Sequence, residues 1–298
     1  MRNREIIRGT AAIGFSAILW GFDGVVLTPR LHGLNVGYVV FMLHAIPFLL
    51  MNIFMFSEYK QLKTFLRQDY ITFVLIAVFG GAIGTMAIVK ALFLVNFKDL
   101  SVVVLLQKLQ PIFAITLASI LLKEKIKKQF ALWASLAVFA SYFLTFGWHL
   151  PGMGTNKNTL YAALLAILAA FSFGSSTVFS KKILLHFNFL TATFFRYGFT
   201  TVIMLFYVVI FGKYTEVMHT NRLHWMFFVL IGLTTGSGAI FIYYYGLRRV
   251  KAIVATISEL LFPISAIFFD YVVNGSMLSP VQLISAAVMV LAIIKLST

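Results

Sequence analysis

The chain has 298 residues, 61% of them hydrophobic and only 11% charged, with a mean hydropathy of +0.95. Soluble domains carry about 45–50% apolar and about 25% charged residues, so this composition excludes an ordinary soluble enzyme or binding module and sets the class as an all-α polytopic membrane protein. The formal charge of +15 is scattered over short loops, which argues for topological bias rather than a nucleic-acid partner, and the absence of cysteine excludes disulfides and thiolate metal sites.

In chain order, hydropathy predicts ten spans, at 9–28, 36–56, 70–92, 101–122, 129–148, 159–180, 188–211, 223–246, 252–273 and 279–296. The connections are too short for a soluble domain. The first apolar run follows MRNREIIR, exceeds the core of a secretory signal and has no small-x-small cleavage site, so it reads as an uncleaved first span. With the N-terminus inside, sixteen Lys and Arg fall in cytoplasmic segments and five (Arg30, Lys98, Lys157, Lys213, Arg222) in outer loops. That bias predicts both termini on the cytoplasmic side of the inner membrane.

Span 1 places Ser16, Trp20 and Asp23 on one helical face. Asp23 is either a substrate contact beside an aromatic wall, Trp20, or the ionic partner of Lys90 or Lys108. Span 3 holds Gly80, Gly81 and Gly84, which suit close helix packing, and ends near Lys90, whose long stem can reach the interface. Span 4 contains Gln107, Lys108 and Pro111. Lys108 is either a substrate ligand or the neutraliser of Asp23. Asp99 and Asp270 lie near outer ends, where solvated positions are expected. Span 8 repeats the glycines (Gly232, Gly236, Gly238) before Tyr243, Tyr244 and Tyr245, of which Tyr245 corresponds to Lys90 and is a candidate substrate contact.

Span 9 is the most informative. It carries Glu259 four residues before Pro263. A carboxylate at membrane depth costs about 2.5–3.5 kcal/mol on insertion scales and marks a functional site by default. The proline leaves the Glu259 carbonyl without its helical donor and bends the helix. Glu259 reads either as a proton acceptor or counter-charge for substrate, or as a structural salt bridge to Arg196 in span 7. Gln107 and Pro111 repeat the pattern in span 4, at an offset of 152 for both pairs. His44 and Arg196 share that offset, and Trp20-Gly21 matches Phe173-Gly174 at 153. Each half therefore has five spans, an odd number, which inverts one half relative to the other and points to a site at their interface.

With these landmarks in this order, together with the span 1 Trp-Gly, the LLKEKI element at 121–126 and the Arg196-Tyr197 pair, the chain resembles the drug/metabolite transporter superfamily, EamA-type branch. The resemblance covers 9–147 and 159–296. It implies a ten-helix secondary transporter built as two inverted five-helix repeats. Spans 1–4 and 6–9 would surround a central cavity, and Arg196 would be architectural. It also leans toward export of amino acids or other metabolites. The second half has VVNGSML at 272–278 where the family repeats the Leu-Leu-x-Glu element, so Glu124 is expected to be structural.

No enzyme signature is present: the six histidines lack metal-ligand spacing and there is no Walker A motif. Neither cofactor nor metal is expected. The sequence thus predicts a monomeric or homodimeric carrier in the lipid bilayer, moving a small polar metabolite by alternating access, with proton coupling at Glu259. Both signs of charge, Asp23 and Glu259 against Lys108 and Lys90, suit a zwitterion such as an amino acid. The alternative is uptake of an organic cation recognised by Trp20, Asp23 and Glu259. Substrate contacts are placed at Trp20, Asp23, Gln107, Lys108, Tyr245 and Glu259, and structural or gating roles at Lys90, Pro111, Arg196 and Pro263.

Overall fold

A computed structural model describes residues 2–95, 103, 106–148, 157–275 and 279–297. Among them the secondary structure is helical, with no strand. The helices are α1 (Arg2–Phe22), α2 (Val36–Met55), α3 (Arg67–Ile76), α4 (Gly84–Leu94), α5 (Gln110–Leu121), α6 (Lys128–Phe146), α7 (Lys157–Leu184), α8 (Phe189–Ile210), α9 (Arg222–Ile231), α10 (Ser237–Arg249), α11 (Ala252–Ser258), α12 (Leu261–Asn274) and α13 (Pro280–Ser297). Lys98, Asp99 and the first residues of the fourth predicted span lie outside the described residues. Among the described residues, seven helical stretches are long and apolar enough to cross a membrane: 3–31, 36–64, 67–94, 160–184, 189–210, 222–249 and 252–273. Large apolar side chains such as Phe54, Phe139 and Phe206 point outward, as a lipid-facing surface allows.

Helix starts are set by local capping. Asn35 accepts from the amides of Gly37 and Tyr38, Asn188 from Thr191, and Asn221 from His224. Among the described residues three stretches are π-helical: Asp23–Leu27 after α1, Ala77–Ile83 joining α3 to α4, and Gly232–Gly236 joining α9 to α10. Such wide turns recur at functional sites.

The packing is reciprocal. Helix α1 lies on α10 and α12, while α7 lies on α4 and α5; α2 pairs with α8 and α6 with α13. Moving each helix by the offset of about 152 residues turns α1 into α7, α10 into α4 and α12 into α5. These pairings are therefore unchanged when the halves are exchanged. Glycines make the closest crossings. A Cβ on Gly21 would lie 2.7 Å from the Ala266 amide nitrogen, and one on Gly174 would lie 2.9 Å from the Gln110 carbonyl oxygen and 3.0 Å from the Ala114 amide nitrogen. Only a residue without a side chain fits at these two matched contacts.

Candidate functional site

Two helices are broken at matching points. In the fourth predicted span the backbone turns at Lys108 and Leu109, just before α5 and Pro111. In the ninth it turns at Glu259 and Leu260, between α11 and α12 with Pro263. The prolines explain both breaks, since neither can donate to the carbonyl four residues back. The Glu259 carbonyl instead accepts from the Phe262 amide at 2.9 Å, so the tighter turn satisfies it. The backbone at the break is thus satisfied locally, and the polar group left at the interior is the Glu259 side chain.

That carboxylate carries two short hydrogen bonds. Tyr243 Oη donates to Oε1 at 2.6 Å and Gln110 Nε2 donates to Oε2 at 2.6 Å. The Tyr243 hydroxyl is also 2.9 Å from Thr177 Oγ1. Trp20 stands against Tyr243, with ring centroids 5.4 Å apart. Tyr243 is buried, whereas Trp20, Gln110 and Glu259 keep part of their surface open. Helices α1, α5, α7, α10 and the α11–α12 break therefore meet in one polar and aromatic cluster, which can hydrogen-bond one edge of a planar ligand and stack its face.

Arg196 is separate. It is buried on α8 and its Nη1 donates to Tyr244 Oη at 3.0 Å, while Ser180 Oγ lies 2.6 Å from the same hydroxyl. Gly80 gives the guanidinium its room: a Cβ there would come within 3.1 Å of Nη2. The structural salt bridge between Glu259 and Arg196 is therefore not formed. Each charge is met by its own tyrosine of the Tyr243-Tyr244 pair. His44 stacks near Tyr197 at 5.2 Å and its Nδ1 is 2.8 Å from the Val40 carbonyl oxygen.

Asp23 opens the first π-helical turn. Its Oδ1 accepts from Thr235 Oγ1 at 3.0 Å and its Oδ2 from Thr28 Oγ1 at 2.9 Å. Thr235 belongs to the π-helical turn of the eighth predicted span, so one carboxylate bridges two of the wide turns.

Several expected placements differ. Gln110, one turn beyond Gln107, is the residue that reaches Glu259. Lys108 is buried against α6, where it lines a recess of about 360 Å³ with Leu109, Val138 and Phe139, and it does not neutralise Asp23. Lys90 is exposed on α4. Tyr245 lies under the Arg249 guanidinium, 3.5 Å from ring centroid to Cζ, and against Phe189; Tyr243 takes the place by Glu259. Pro111 and Pro263 are buried at the two breaks, and Asp270 is half-buried on α12. Gln110, Thr177, Thr28 and Thr235 were missed; all are uncharged, and only Gln110 stands beside one of the repeated prolines.

Glu124 has the structural role expected of it. Its two oxygens accept from the amides of Ala252 at 2.9 Å and Ile253 at 3.1 Å, closing the start of α11. Lys181 does the converse at the end of α10, donating to the carbonyls of Leu247 and Arg248 at 2.9 and 3.1 Å.

Broken helices, close glycine crossings and an enclosed carboxylate describe a membrane carrier. The EamA-like transporter family matches residues 7–146 and again 160–298, and the chain belongs to that family. It is a multi-pass membrane transporter, not an enzyme. Among its relatives, the riboflavin transporter ImpX of Fusobacterium nucleatum subsp. nucleatum is 51% identical over 292 residues, which is 98% of this chain and 98% of that protein. A solved crystal structure shares the fold with a TM-score of 0.67 at 17% identity, covering 95% of this chain and 94% of the other.

Proposed function

We propose that this chain carries a flavin, riboflavin or a close derivative, across the cytoplasmic membrane by alternating access. The observation that carries the proposal is the Trp20–Tyr243–Glu259 cluster, an aromatic wall joined to a hydrogen-bonded carboxylate in the interior. A tricyclic ring system that is neutral, planar and rich in hydrogen-bonding atoms matches such a wall. The likeness to a riboflavin transporter over nearly the whole length points the same way.

A zwitterionic amino acid fits less well. It rested on Lys108 and Lys90 facing the carboxylates, and those lysines lie elsewhere. The organic-cation alternative keeps one observation in its favour: among the described residues, neither Asp23 nor Glu259 forms an ion pair. An amine that displaces bound flavin and is itself accumulated would favour it.

The architecture that goes with this function is ten spans in two inverted five-helix repeats, 9–147 and 159–296, with both termini cytoplasmic. The reciprocal helix pairing and the matched Gly21 and Gly174 crossings support it. Superposed halves should align Pro111 with Pro263 and His44 with Arg196.

The test is riboflavin fluorescence. Stacking against Trp20 should quench it in a saturable titration of the purified protein. In proteoliposomes, riboflavin should then enter with saturating kinetics and show counterflow when preloaded on one side. Absence of both quenching and counterflow refutes the flavin assignment.

A further inference from the structure

The three groups around the break in the ninth predicted span form an ordered pattern. Glu259 accepts on both oxygens, with a neutral donor on each side: the Gln110 amide at Oε2 and the Tyr243 hydroxyl at Oε1, both at 2.6 Å. Donor, acceptor, donor is the complement of an imide, which presents carbonyl, N–H and carbonyl along one edge. The pyrimidine edge of a flavin is such an imide: the C2 carbonyl, N3–H and the C4 carbonyl.

We infer that Glu259, flanked by Gln110 and Tyr243, reads the imide edge of the ligand, taking N3–H on the carboxylate while the two donors turn to the C2 and C4 carbonyls. This rests on the flavin assignment and adds which edge of the ring faces inward. Burial drives the selectivity. The two donors close on the carboxylate, so all three groups are paired. A ligand that opens the cluster must return all three hydrogen bonds, and one lacking N3–H leaves a carboxylate unmatched. Thr177, 2.9 Å from the Tyr243 hydroxyl, holds that donor in place, and Trp20 at 5.4 Å offers the face on which the ring lies. Selectivity should therefore follow the imide rather than the ribityl chain: lumichrome, which keeps the imide and lacks the chain, is a ligand.

The experiment uses the full chain in nanodiscs and three probes: riboflavin, N3-methylriboflavin, and 5-deazariboflavin, which keeps the imide and replaces N5 of the central ring by C–H. Riboflavin and 5-deazariboflavin should bind alike, and N3-methylriboflavin at least about tenfold more weakly. Gln110→Ala and Glu259→Leu, the second removing the acceptor for N3–H, should each shrink that ratio toward one. Equal binding of riboflavin and N3-methylriboflavin by the wild type overturns the imide reading while leaving the flavin assignment standing. A ratio that survives in both variants also overturns it, by placing the discrimination elsewhere. Failure to bind riboflavin at all overturns both. Because the wild-type ratio uses only ligands, the inference stays testable if a variant fails to fold.

Discussion

Gln110 and Glu259 are 149 positions apart in the chain, yet Nε2 of one and Oε2 of the other are 2.6 Å apart. The bond joins the two broken helices, each at its proline, across the boundary between the halves. A carrier that alternates must change contacts at this boundary, so the bond is placed where binding and movement meet.

The first prediction concerns coupling. Glu259→Gln keeps a side chain of the same size that still accepts from Tyr243, so the fold should persist. The neutral amide cannot release a proton. Counterflow of riboflavin should continue, with weakened affinity, while the response of uptake to an imposed pH gradient disappears. Proteoliposome transport with and without the gradient checks this; a retained gradient response removes Glu259 as the coupling group.

Trp20→Ala should weaken flavin binding about five- to thirtyfold, since a lost stacking partner costs roughly 1–2 kcal/mol including buried area. Trp20 is partly open and makes its ring contact with Tyr243, so the melting temperature should change little. A fluorescence-quenching titration beside a melting curve separates the two effects. Normal affinity in the variant would mean the ligand does not stack on α1.

Matched crossings should fail equally. Gly21→Ala pushes a Cβ to 2.7 Å from the Ala266 amide nitrogen, and Gly174→Ala to 2.9 Å from the Gln110 carbonyl oxygen. The obstruction is backbone in both, so neither can simply swing aside. Each variant should lose roughly 1–3 kcal/mol of stability, read as a lower melting temperature in detergent. Gly24→Ala, with nothing within 4 Å of its added Cβ, is the control and should melt as the wild type does. A large loss for one crossing and none for the other would speak against equivalent halves.

Glu124→Ala should destabilise the protein by about 1–2 kcal/mol through loss of the cap on α11. Glu124→Gln, which keeps one acceptor oxygen for the Ala252 amide, should lose less. Thermal unfolding of the two variants side by side gives the order, and equal melting temperatures for both and for the wild type would deny Glu124 the role.

Much of this was readable before any coordinates. Glu259 stood out because charge in an apolar segment is costly, and the two prolines announced both helix breaks because their chemistry is local. Glu124 could be assigned to structure from the missing counterpart in the second half. What escaped was rotational phase. Each π-helical turn inserts a residue relative to the regular spiral, and one residue is worth about 100° of rotation. Among the three tyrosines, Tyr245 is selected by its correspondence to Lys90, but Lys90 is itself exposed on α4, and Tyr243 is the one that reaches Glu259. At Lys108–Leu109 the contact with Glu259 falls one turn further along, on Gln110 rather than Gln107, and Lys108 lies toward α6. The missed hydroxyls of Thr28, Thr177 and Thr235 left no trace because threonine is unremarked in any apolar helix until its partner is known.

The corner between α10 and α11 is gripped from both sides, Lys181 holding the last carbonyls of one helix and Glu124 the first amides of the next. Two helices fastened this way at a shared elbow cannot separate there. Any swing of their far ends would therefore pivot about the elbow, with travel growing with distance from it. Since the native chain contains no thiol, pairs of spin labels on introduced cysteines report distances without background. A pair spanning the elbow should hold its spacing when ligand is added, while a pair joining the opposite ends of α10 and α12 should not.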